Sequence, residues 1–110
     1  MKRPIDWAIS CVMAGTLGVL AVASQAAPAA DANNGLRLAE RWCASCHLVS
    51  KAQSKGADSA PSFASVAQRP GFSVEKLAFF LLDPHPIMPN MALSRKEAAD
   101  IAAYIARLRK

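Results

Sequence analysis

Hydrophobic positions change their rhythm sharply along this chain. From Trp7 to Ala23 they run almost unbroken and uncharged, with Lys2 and Arg3 ahead of them and Ala-Ser-Gln-Ala-Ala behind. A basic start, an apolar stretch and small residues at the −3 and −1 positions of a cut after Ala26 make the layout of a secretory signal, so residues 1–26 are expected to be removed. The run also reaches about the minimum length of a membrane span, and a retained anchor is the competing reading. Ser10, Gly15, Thr16 and Gly18 dilute it and favour cleavage. Residues 27–32 read as a short Ala/Pro lead-in with nothing to hold it, and residues 33–110 as the folded domain.

Within that domain the spacing turns helical. Leu36, Ala39, Trp42 and Cys43 recur three and four apart, with Asn34 the expected N-cap. Leu48 to Pro61 is a polar loop without periodicity. Ser62 to Gln68 holds a short helix, capped by Ser62, with Phe63, Val66 and Ala67 on one side; Arg69-Pro70-Gly71 is a turn. Ser73 caps a helix predicted over Val74–Leu82, with Leu77, Phe80 and Leu81 inward. Asp83-Pro84-His85-Pro86 ends it, because a residue before proline is pushed out of the helical region. Ser94 and Glu97 form a capping box for the last helix. Ile101, Tyr104, Ile105 and Leu108 are its apolar stripe, and Arg107, Arg109 and Lys110 suit the negative end of its dipole. No stretch alternates with a period of two. The predicted fold class is all-α, with three principal helices and long loops.

Composition narrows the choice of chemistry. The 110 residues are 53% hydrophobic and 19% charged, which excludes general disorder and leaves no room for a two-domain enzyme. The 13 basic and 8 acidic residues fall to 11 and 7 once Lys2, Arg3 and Asp6 leave with the signal, a net charge of about +4. That mild excess, with no arginine-rich stripe, argues against nucleic acid and suits an acidic protein partner or solubility alone. Cys11 also leaves, too early in the apolar run to be a lipidated cysteine. Cys43 and Cys46 remain, in a chain bound for an oxidising compartment. A domain of 84 residues is marginal without a staple, and a disulfide closing a two-residue loop restrains the unfolded chain very little. Something else must supply buried apolar volume.

Cys43-Ala44-Ser45-Cys46-His47 supplies a candidate. C-x-x-C-H reads as covalent attachment of a c-type haem: two cysteines three apart face one side and reach two vinyl groups, and the adjacent histidine is held beneath the iron. Three other readings compete. A thioredoxin-like redox pair, suggested by Trp42 before Cys43, belongs to a βαβ setting that this chain lacks. A zinc site of Cys43, Cys46, His47 and His85 asks two adjacent residues to face one tetrahedral ion. A plain structural disulfide is the third. For a second iron ligand the residues offer Met88, stiffened between Ile87 and Pro89, then Met91 and His85; both methionines also suit core filling.

These segments resemble the small class I monohaem cytochromes c of bacterial periplasms, over essentially all of Asn33 to Arg109. Gly35, eight residues before Cys43, is similar to the family glycine that lets the terminal helices cross closely. Ala60-Pro61-Ser62-Phe63 looks like the loop whose proline carbonyl accepts a hydrogen bond from the proximal histidine, although many members have glycine where Ala60 stands. His85-Pro86-Ile87-Met88-Pro89 resembles the distal-ligand loop, and Ser94 to Leu108 the terminal helix with its aromatic at Tyr104. The resemblance implies a class I cytochrome c fold around one haem c, attached through Cys43 and Cys46, with His47 and Met88 as iron ligands and Pro61 supporting His47.

With both axial positions filled by protein, such an iron exchanges single electrons and offers no open site for substrate. No acid–base pair or nucleophile is identifiable in the mature chain. The expectation is a monomeric periplasmic one-electron carrier, not an enzyme, working between a redox protein donor and acceptor, with no membrane span after signal removal. Lys51, Lys55, Lys76, Arg95 and Lys96 either ring the haem edge for docking or are scattered surface charge. The rival function is a haem-based gas or redox sensor in which Met88 is displaced; an open-site peroxidase is a weaker one.

Overall fold

The computed structural model describes residues 26–57, 59–83 and 86–110. Apart from Ala26, the expected signal lies outside these residues, as does His85. Four helices follow in order: α1, Ala32–Trp42; α2, Phe63–Ala67; α3, Val74–Leu82; α4, Arg95–Ala106. Among the described residues there is no strand, and no helix is long and apolar enough to cross a membrane.

Serine caps open three helices where the spacing predicts them. Ser62 Oγ accepts from Ser65 N, Ser73 Oγ from Lys76 N, and Ser94 with Glu97 completes a reciprocal capping box. The start of α1 differs from the expected Asn34 cap. Asp31 is the cap, its carboxylate accepting from the N–H groups of Asn33 and Asn34. Ala32, assigned to a lead-in with nothing to hold it, is already helical. The reason lies across the fold: Asp31 N–H donates to Asp100 Oδ1 at 2.7 Å, so the chain is tied to α4 one residue before α1 begins. Asn34 points its amide at Asp100 Oδ2, 2.8 Å away.

The fold is organised on α4, which packs against each of the other helices, most extensively against α1. The core joins Ala39 and Cys43 of the first segment to Phe63, Ala67 and Leu81, closed by Ala98, Ile101, Tyr104 and Ile105 of α4. Gly35 sets the α1–α4 approach: a Cβ there would overlap the Asp100 carbonyl oxygen and stand 2.9 Å from Tyr104 Cβ, so any side chain forces the helices apart. Beside this crossing Asp100 is fully buried, and Lys96 Nζ completes its partners at 2.9 Å. Burial pushes the Asp100 carboxyl up, but the Lys96 ammonium, the Asn34 amide and the Asp31 N–H together outweigh it, and the net shift is downward. Tyr104 locks the other end, its hydroxyl donating to Val49 O at 2.6 Å.

Phe80 departs from its expected inward face. It is exposed and lines a large cleft, whereas Leu81 is buried in the core and Leu77 packs against it as expected.

Candidate functional site

Helix α1 runs directly into the cysteine motif. The Cys43 N–H closes the helix on Ala39 O, and Cys43 O then accepts from both Cys46 N at 3.1 Å and His47 N at 2.8 Å. This extra turn brings Cys43, Cys46 and His47 to one wall of the cleft. Cys43 is buried, Cys46 is exposed, and both thiols are free, so the structural disulfide is not formed. Burial pushes the Cys43 thiol up to about 11. That is opposite to the lowered thiol of a thioredoxin-like pair, whose strands are also missing among the described residues. Nor do the described residues gather three His, Cys, Asp or Glu side chains into a metal-binding group, so Cys43, Cys46 and His47 do not converge as zinc ligands.

The cleft has a volume of about 670 Å³, inside the range of roughly 300–1,000 Å³ usual for cofactor sites. The attachment turn and Trp42 form one wall; Pro61 and Phe63, then Leu77, Phe80 and Leu81, form the next; Met88 and Met91 close it. His47 Nδ1 lies 2.7 Å from Pro61 O. A carbonyl only accepts, so Nδ1 carries the proton and Nε2 keeps its lone pair. Phe63 leans on the imidazole with ring centres 5.4 Å apart. Ala60 stands in this loop without strain: among the described residues Ala92 is the one non-glycine with positive φ, at 51°. Asn90 Oδ1 holds that turn by accepting from Ala92 N at 2.7 Å. Met88 and Met91 are both half-buried, and Met88 also packs against the core.

Two free thiols, an imidazole nitrogen with an available lone pair and thioether sulfurs therefore share one largely apolar cleft. That donor set fits a haem held covalently from one side and ligated from both. The basic residues do not form a single ring around it. Lys76 lines the cleft together with Arg69, whereas Lys96 is committed to Asp100. Gln53, placed by its sequence only in a polar loop, binds the attachment turn through its amide. Asp100 was also not marked by the pattern; its one signal is Lys96, one helical turn earlier on α4.

The family described as Cytochrome C oxidase, cbb3-type, subunit III matches residues 30–105. A relative named cytochrome c-552, from Bradyrhizobium diazoefficiens, is 66% identical over 93 residues, covering 83% of this chain and 89% of the relative. No solved structure matches the chain. The fold, the cleft and these likenesses define a c-type cytochrome. The chain belongs to this cytochrome c family, as a monohaem class I member whose cofactor is covalently bound haem c, and it is an electron-transfer protein rather than an enzyme.

Proposed function

We propose that the protein is a periplasmic one-electron carrier with His/Met ligation, shuttling electrons between a donor and an acceptor redox protein. In this reading Cys43 and Cys46 hold the haem through thioethers, and His47 Nε2 and Met88 Sδ are the iron ligands. Bound there, haem supplies an iron that passes between the ferric and ferrous states by one electron. Pro61 O anchors the His47 ring and raises the basicity of its free nitrogen. Met88 offers a soft sulfur that favours the ferrous state and raises the potential. The apolar wall of Phe63, Leu77 and Leu81 keeps water from the ring. Met88 is preferred to Met91 because it sits in a proline-stiffened segment and packs on the core, whereas Met91 adjoins the strained turn at Ala92.

The observation that carries this reading is the bond from His47 Nδ1 to Pro61 O, which frees Nε2 in a cleft shared with both thiols and Met88. The test is an absorption spectrum with a redox titration, followed by carbon monoxide added to the reduced protein. A sulfur–iron charge-transfer band in the oxidised protein and a reduced spectrum indifferent to carbon monoxide are expected. Rapid, tight carbon monoxide binding would instead establish the sensor. Fractionation with a mass measurement of the N-terminus tests export and removal of residues 1–26; a retained segment in the membrane fraction would replace the free carrier with a tethered one.

A further inference from the structure

The loop after the cysteine motif turns back on it, and a single side chain makes most of the return contacts. Gln53 Nε2 lies 2.8 Å from Ala44 O, 2.8 Å from His47 O and 2.6 Å from Lys55 O, while Gln53 Oε1 accepts from Val49 N at 3.1 Å. An amide nitrogen has two hydrogens, so three carbonyls share them and at least one bond is three-centred. Cys46 O is taken by Ala57 N at 2.8 Å. The segment between these contacts lies flat on the turn: a Cβ on Gly56 would come within 3.1 Å of Leu48 N and 3.2 Å of both Cys46 O and the His47 carbonyl carbon.

We propose that Gln53 is the positioning residue of the attachment turn, fixing the His47 backbone from behind while Pro61 fixes its ring. The two anchors are independent. Pro61 O restrains Nδ1 alone, and without a fixed backbone the imidazole can pivot about that bond. With the His47 N–H already held by Cys43 O, Gln53 removes the remaining pivot by tying Ala44 O, His47 O and Val49 N to one planar group, so the direction of Nε2 is set. This inference rests on His47 being the iron ligand of the proposed function.

The test compares haem-loaded Gln53→Leu, which keeps the bulk and removes every bond, with Gln68→Leu. Gln68 makes one side-chain bond, to Leu108 O just past α4, and none to the attachment turn, and serves as the control for lost stability. In the reduced proteins Gln53→Leu is expected to exchange the His47 Nδ1 proton about tenfold faster, to shift the His47 ring resonances and to change the reduction potential. Gln68→Leu is expected to leave all three unchanged. A Gln53→Leu protein with wild-type His47 signals, and only a lower denaturation midpoint, would overturn the positioning role. Should that variant give no holoprotein, Gln53→Glu, which keeps the shape and the contact with Val49 N but cannot donate to Ala44 O, His47 O or Lys55 O, must move the same signals; unmoved signals overturn the proposal equally. A wild-type protein without haem absorption would sink the ligand assignment itself, a failure distinct from unmoved signals in a haem-loaded variant.

Discussion

The chemistry of His47 is decided by one proton. Because Pro61 offers only a carbonyl, the imidazole has a single tautomer, and the nitrogen left over is the one suited to a metal. Met88 is the complementary choice in the proposed ligand set, a polarizable sulfur on a stiff segment. Met88→Ala is expected to open the sixth position, abolish the sulfur–iron band, admit carbon monoxide and lower the potential. Met91→Ala is expected to leave the spectrum intact. An unchanged band in Met88→Ala, lost instead in Met91→Ala, would exchange their roles.

At the scale of elements the crossing of α1 and α4 is the critical contact. Gly35→Ala would set a methyl group against the backbone of Asp100, which no side-chain rotation relieves. We expect a loss of about 3 kcal/mol and a fall of roughly 15 °C in melting temperature, read by thermal unfolding of the holoprotein. Asp100 beside it adds a pH dependence. Its carboxyl titrates lower folded than unfolded, so between those values the unfolded chain holds a proton that the folded chain does not. Its stabilisation is complete above the ordinary carboxylate range and is lost as pH falls through the folded-state value. Denaturant unfolding from about pH 6 to about pH 2 is expected to show a shallower acid slope for Asp100→Asn than for the wild type. Sequence pattern located α3 and three of the four caps because serine caps and apolar spacing are local signals. It misplaced the start of α1 because that start depends on Asp100, far away in the chain. Gln53 escaped for a different reason: its partners are nearby backbone groups, which leave no trace in residue type.

For the molecule as a whole, the cleft is too large and too apolar for this small chain to close by itself. Of the large exposed apolar side chains, Trp42, Phe80 and Ile87 line it. The motif and the resemblance single out Cys43, Cys46, His47 and Met88, but that they share one cleft needed the fold. The doubly substituted Cys43→Ser, Cys46→Ser chain, unable to form thioethers, is expected to lose fixed tertiary packing while keeping part of its helix content. Near-ultraviolet circular dichroism and proton NMR dispersion measure this. A well-dispersed spectrum and a cooperative melt without haem would show that the protein shell suffices alone.

Trp42 has an optical consequence. It stands on the cleft wall beside Cys43, with the Arg41 guanidinium 4.8 Å from its ring centre, and in a chain cut after Ala26 it would be the sole indole. A strongly absorbing porphyrin held in that cleft would drain its excited state by energy transfer. The intact carrier should therefore be dark in ultraviolet emission, and any event that lifts the polypeptide from its pigment should announce itself as light.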